Sequence, residues 1–243
     1  MTPPAARELE AGALCMTPKP PILCYVTDRF ALGGEAALPA VIRSALAAGL
    51  DWIQIREKTL PTRRLLELTR RAVQDAHDAG ADGPRIIVND RLDVALAAAA
   101  HGVHLAGMSM PVSEVQRWLR SSQAFTPRTP TAAEPARVPP GFLVGRSCHS
   151  LMEAQQAERD GASYVILGPI FSTPSKLELG EPLGVARLAE ACRALRIPVL
   201  AIGGITVETA AECLSAGAAG LAAIRLFQAS PQLPEIVARL KKT

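Results

Sequence analysis

Residues 52–58 read Trp-Ile-Gln-Ile-Arg-Glu-Lys. On an extended strand successive side chains point to opposite faces. Gln54, Arg56 and Lys58 therefore share one side, and Ile53 and Ile55 the other. The apolar side is what a strand turns toward a layer of helices. An amide and two cations on the opposite side, at the end of a buried strand, carry a desolvation cost unless something anionic answers them. A phosphate-bearing ligand would answer them.

Outward from this stretch, short apolar runs alternate with longer helical patterns. Strands are expected near 22–27, 52–56, 85–89, 101–105, 142–147, 163–168, 197–202 and 218–224. Helices are expected near 37–49, 61–79, 91–99, 112–121, 150–160, 185–195, 206–216 and 232–241. Eight strands, each followed by a helix, describe an α/β fold: a single (β/α)8 TIM barrel of parallel strands. An open doubly wound sheet is the competitor, but no GxGxxG follows the first strand. Ser150 with Glu153 spells a capping box, Thr206 an N-cap, and Gly217 a helix C-terminus.

Composition agrees with this architecture. Hydrophobic residues make up 49% of the 243 and aromatics only 4%, so the core must be Ala, Leu, Val and Ile, which suits strands buried on both faces. A net charge of +3 is too small to argue for nucleic-acid or membrane binding. Five cysteines without CxxC spacing (Cys15, Cys24, Cys148, Cys192, Cys213) argue against a disulfide framework or a zinc site and for a reducing compartment. No apolar signal core opens the chain and no apolar run reaches membrane-spanning length, so a soluble, cytoplasmic protein is expected. Residues 1–20 read as a flexible tail and 21–243 as the barrel domain. Residues 122–140, with five prolines, read as an irregular insertion on the N-terminal side of the barrel.

Barrel enzymes carry their chemistry at the C-terminal ends of the strands. Here the second strand end offers Gln54, Arg56 and Lys58, and the third Asn89 and Asp90. The fourth runs from His104 to Ser109, and the fifth gives Ser147 and His149, two apart and so on one side. The sixth opens into a loop carrying Thr173, Ser175 and Lys176, the seventh ends at Gly203-Gly204, and the eighth at Ile224-Arg225. A glycine pair lets bare N–H groups approach an anion, and the last two loops of a barrel often form a phosphate site. A loop with two hydroxyls and a cation can close over a phosphorylated substrate, and several cations around one cavity suit a diphosphate. Asp90 is suited either to magnesium, which needs few protein oxygens beside a diphosphate, or to capping the helix that follows. His149 is a candidate acid or base; as a lone histidine before a helix it is also read as structural. His101 and His104, with apolar neighbours, read as structural, and Cys192 and Cys213, in helical patterns, as small core residues.

The stretches YVTDR (25–29), IQIREK (53–58), VNDRLDVAL (88–96), GVHLAG (102–107), VGRSCHS (144–150), ASYVILGPIFSTPSK (162–176), IPVLAIGGIT (197–206) and GAAGLAAI (217–224) together resemble the thiamine phosphate synthase and thiazole tautomerase superfamily over about residues 22–228. The resemblance implies the barrel fold. In the synthase, a pyrimidine diphosphate loses pyrophosphate and the nitrogen of a thiazole phosphate captures the carbocation. It implies that Arg56, Lys58, Asn89 and Lys176 hold the diphosphate and that Gln54 and Ser147 position the pyrimidine. Thr173 and Ser175 would contact the pyrophosphate and thiazole region. Backbone at Gly204 and Ile224, beside Gly203, would hold the thiazole phosphate, and Asp90 would bind Mg2+. Two positions depart from the pattern. Ser109 stands where the synthase has an acidic second magnesium ligand, and Arg225 where a small residue is usual.

Three functional readings follow. The synthase leads, on the set Arg56, Lys58, Asn89, Asp90 and Lys176, with small phosphorylated pyrimidine and thiazole substrates. A thiazole tautomerase, with His149 moving a proton, needs no magnesium and accommodates Ser109. A non-catalytic phosphate-binding barrel is the third, opposed by the number of polar strand ends. The pattern carries no expectation for an oligomeric state.

Overall fold

A computed structural model describes residues 21–80, 83–124, 138–172, 181–228 and 230–243. Its eight strands are β1 (Ile22–Val26), β2 (Trp52–Ile55), β3 (Arg85–Asn89), β4 (Gly102–Leu105), β5 (Leu143–Cys148), β6 (Tyr164–Leu167), β7 (Val199–Ile202) and β8 (Gly220–Ala223). They alternate with α1 (Leu38–Ala47), α2 (Thr62–Asp78), α3 (Leu92–Ala97), α4 (Val112–Ala124), α5 (Leu151–Arg159), α6 (Gly184–Ala194), α7 (Val207–Ser215) and α8 (Leu233–Leu240). Each strand pairs in parallel with its sequence neighbours, and β1 pairs with β8, so the sheet closes into a barrel. This is the (β/α)8 architecture expected from the alternation, with each observed strand inside or within a residue of its expected range.

The strands are short and apolar because both faces are covered. Ile53 and Ile55 of β2, Ile86 and Val88 of β3, and Val103 and Leu105 of β4 pack outward against the helices. Helix α2 answers with Leu65, Leu68, Ala72 and Ala76, an apolar stripe at helical spacing. The inner wall is lined by Cys24, Val26, Trp52, Tyr164, Ile166, Leu200 and Ala222. Trp52 and Tyr164 meet edge to face there, with ring centroids 4.7 Å apart. Gly145 makes room for this pair, since a Cβ at 145 would fall 2.1 Å from the Tyr164 ring.

Local signals are met in part. Thr206 caps α7 through a full capping box with Thr209, and Gly217 follows α7 at φ +95°. The Ser150–Glu153 box is only half formed. Ser150 Oγ accepts from the Glu153 N–H at 3.2 Å, but the Glu153 carboxylate accepts from the N–H of His149 rather than of Ser150. The proline-rich stretch 122–140 is not irregular from its start, because α4 continues through Ala124 before the first proline intervenes; residues 125–137 and the N-terminal tail 1–20 lie outside the described residues. Cys24, Cys148 and Cys213 are buried thiols, and burial pushes each up to about 12, which suits packing rather than reactivity. Among the described residues no helix is long and apolar enough to cross a membrane.

Candidate active site

The site is built at the C-terminal mouth of the barrel, where strand ends turn into loops. Gln54, on the inner face of β2, is 2% exposed, and its Nε2 has no hydrogen-bond partner. A buried amide donor left unpaired costs about 1–3 kcal/mol, which makes Gln54 a candidate binding group. Arg56 follows just past the strand and is half-buried; Lys58 is exposed. Strand β2 stops at Ile55, so the alternation that joins Gln54 to Arg56 and Lys58 in the sequence no longer governs residues 56–58. Between the two cations Glu57 is buried, with 4% exposure.

Asn89 and Asp90 end β3. Asp90 adopts φ +60°, a left-handed conformation that Asp tolerates better than most residues. Its side chain does not cap α3, contrary to the capping alternative. Oδ1 instead accepts from the N–H of Ala106 at 2.9 Å and from the Ser109 hydroxyl, and Oδ2 accepts from Asn89 Nδ2 at 2.8 Å. Asp90 thus ties β3 to the loop after β4. Oδ1 accepts two hydrogen bonds and Oδ2 only one, so Oδ2 keeps a lone pair to spare. Ser109 is therefore a donor to Asp90. Among the described residues no three His, Cys, Asp or Glu side chains cluster as a metal site. A single carboxylate oxygen still fits magnesium, which keeps several waters and takes its remaining oxygens from phosphate.

His104 stands on the inner face of β4, fully buried. Its Nε2 lies 2.8 Å from Ser147 Oγ on β5 and its Nδ1 3.2 Å from the Tyr164 hydroxyl on β6. Burial pulls its pKa down to about 3; Asp90 opposes that shift, while Arg146 and Arg56 reinforce it. The histidine is thus neutral at pH 7. His101 is structural, its Nδ1 accepting from the N–H of Ile86 at 3.0 Å. His149, just beyond β5, is exposed, and its Nδ1 lies 2.5 Å from the carbonyl of Gly168. A carbonyl only accepts, so Nδ1 carries a proton and donates to it.

Gly203 and Gly204 follow β7 at φ +98° and +66°. A Cβ at 203 would meet Pro169 at 2.5 Å and one at 204 would meet Phe171 Cβ at 2.6 Å, so only glycine lets this turn lie against the loop after β6. Ile224 packs on the inner wall and its carbonyl receives the N–H of Phe227 and Gln228. Arg225 is exposed on that turn. Thr173, Ser175 and Lys176 lie outside the described residues.

Contacts that the linear pattern did not reveal complete the mouth. Arg146 reaches Gly107 O through Nη2 at 2.9 Å while its Nη1 is buried without a partner. Glu57 receives Arg29 and Thr27. The only linear hint was the TDR segment at the end of β1, which offers polar groups at another strand end.

Comparison with known proteins decides the family. A model of thiamine monophosphate synthase matches residues 23–124 and 127–227. This chain belongs to the thiamine monophosphate synthase family. A thiamine-phosphate synthase of Methanoculleus marisnigri is 41% identical over 200 residues, 82% of this chain and 84% of the relative. One from Roseiflexus castenholzii is 39% identical over 218 residues, 90% of this chain and 85% of the relative. Among solved structures, thiamine phosphate pyrophosphorylase from Pyrococcus furiosus superposes with a TM-score of 0.72 at 30% identity, covering 90% of this chain and 93% of that one. The resemblance expected from the motifs is thereby shown, and the family's fold is the barrel described above.

Proposed function

We propose that this chain is a thiamine phosphate synthase, a transferase joining hydroxymethylpyrimidine diphosphate to a thiazole phosphate with release of pyrophosphate. The observation that carries the reading is the unpaired Nε2 of buried Gln54 beside Arg56 at the barrel mouth, in a chain similar over most of its length to proteins named for this activity.

In this reaction the methylene C–O bond breaks, its electron pair leaves with pyrophosphate, and the thiazole nitrogen lone pair forms the new C–N bond. Two demands follow: leaving-group charge must be stabilised, and the transient cation must be held against the nitrogen. Arg56, Lys58 and Asn89, with Lys176 from the loop after β6, answer the first. Thr173 and Ser175 are assigned to the pyrophosphate and thiazole side. Gln54 presents both donor and acceptor to a pyrimidine edge. In the tautomer where Tyr164 donates to His104 Nδ1, Nε2–H donates to Ser147 Oγ, leaving the serine proton free for the ligand. Neutral His104 also keeps positive charge away from the developing carbocation. The turn at Gly203 and Gly204, with Ile224, suits the thiazole phosphate, and exposed Arg225 adds a cation to that rim. Magnesium held by Asp90 would neutralise diphosphate charge.

The test is an assay of purified protein with both substrates, with and without magnesium. Magnesium-stimulated formation of thiamine phosphate and pyrophosphate is expected; no product at any magnesium concentration rejects the reading. One second reading has its own support. Exposed His149, its ring fixed by Nδ1 on the Gly168 carbonyl, and the neutral Ser109 suit a thiazole tautomerase acting on the thiazole carboxylate phosphate. His149→Ala should abolish tautomerase turnover and spare most synthase turnover; a variant that keeps the tautomerase rate but loses the synthase rate rejects this role for His149.

A further inference from the structure

Glu57 is an anomaly in an anion site. A carboxylate lies between Arg56 and Lys58 in sequence, and its side chain is only 2% exposed. Burying a charge is costly unless it is paired and hydrogen-bonded. Glu57 is both. Oε2 accepts from Arg29 Nη1 at 3.1 Å and from the Arg29 N–H at 3.4 Å, and Oε1 accepts from the Thr27 hydroxyl at 2.7 Å. The Thr27 oxygen in turn accepts the N–H of Arg56 at 2.9 Å. Arg29 is itself fixed, with Nη2 donating to Thr59 Oγ1 at 2.6 Å and the guanidinium 4.5 Å from the centre of the Phe30 ring. Its side chain is 14% exposed.

We infer that Arg29 is a positioning residue for the anion pocket: by neutralising buried Glu57 it leaves Arg56 and Lys58 available to a diphosphate, and through Thr27 it fixes the backbone from which Arg56 projects. The inference rests on the diphosphate reading given above. Without Arg29, the cations adjoining Glu57 in the chain are Arg56 and Lys58. They would be drawn to it, and its charge, weakly screened because the carboxylate is buried, would oppose an incoming anion. Arg29 acts through Glu57 and does not itself touch the ligand.

The experiment measures affinity for inorganic pyrophosphate by calorimetry, with the thermal midpoint of every variant. Wild type is expected to bind; if it does not, the diphosphate reading itself fails, which is distinguishable from failure of the Arg29 role. Arg29→Met should weaken pyrophosphate by about tenfold or more, an effect of the size one uncompensated charge produces at this range. Arg29→Lys should recover most of that loss. The double variant Arg29→Met with Glu57→Gln should return to within about threefold of wild type, because the charge needing neutralisation is gone. Pyrophosphate binding by Arg29→Met equal to wild type overturns the inference, as does a double variant as weak as the single one. Should Arg29→Met fail to fold, Glu57→Gln alone decides. It should tighten pyrophosphate, since Arg29 then adds uncompensated positive charge; weaker binding overturns the inference, and a purely structural pair would give no tightening.

Discussion

The two ends of the four-residue strand β2 behave in opposite ways. Below the strand, Asp51 is completely answered. Its carboxylate accepts from the Leu23 N–H at 2.7 Å and from Lys241 Nζ at 2.5 Å, and Lys241 also donates to Pro21 O at 3.1 Å. This closed set pins the last helix and the first strand to the floor of the barrel. Above, Gln54 keeps an unpaired buried donor, and Arg56 and Lys58 meet no acid among the described residues. A protein gains stability from polar groups only when they are satisfied. Unsatisfied ones persist where a ligand completes them. The difference separates the part of β2 that holds the barrel shut from the part proposed to bind.

The sharpest way to break this comparison is to exchange the expected outcomes. Arg56→Ala should lower kcat/KM by about 10²–10³-fold, the range for removing one preorganised group facing developing charge, with a thermal midpoint close to wild type. A large loss of midpoint with kinetics intact would assign Arg56 to the fold instead. Asp51→Ala should do the reverse. It leaves the Leu23 N–H and Lys241 without their acceptor and should cost about 2 kcal/mol of stability, read from denaturant midpoints, with kcat/KM unchanged. A kinetic defect in that variant would show that the floor and mouth of the barrel are coupled.

The fold was legible because the barrel repeats one rule eight times. Each strand is a short apolar run bounded by a turn, and runs such as Ile-Ile-Val at 86–88 and Tyr-Val-Ile-Leu at 164–167 admit no other element of that length. The candidate site was legible where a polar residue interrupts such a run at its C-terminal end, as at Gln54, Asn89 and Ser147. It was illegible where function depends on contacts between distant parts of the chain. The Glu57–Arg29 pair joins positions 28 residues apart, and His104–Tyr164 joins positions 60 apart. Strand periodicity also fails as soon as the strand ends, which is why Glu57 turned inward while Lys58 became exposed. Ser109 was visible as a missing acid, but its hydrogen bond to Asp90 depends on the path of the loop after β4.

His104 lies between these two regimes, and its titration shows which one it serves. Its folded pKa is depressed to about 3 by burial, against about 6.5 in an unfolded chain. Between those values the unfolded state binds the proton and the folded state does not, so folding stability falls as pH drops through that window. From pH 7 to pH 6 this one group should remove about 0.7 kcal/mol, and more below. His104→Asn should flatten that part of the stability profile, measured as denaturant midpoint against pH. If the imidazole serves only as buried packing, like the floor around Asp51, its replacement will alter this slope and leave kcat/KM near wild type. If it orients Ser147 toward a pyrimidine, as the 2.8 Å contact implies, the same variant will also raise KM for the diphosphate substrate. A pH-stability profile unchanged by the substitution would mean that the ring binds protons alike in the folded and unfolded chain, and the burial-driven depression argued for His104 would then be wrong.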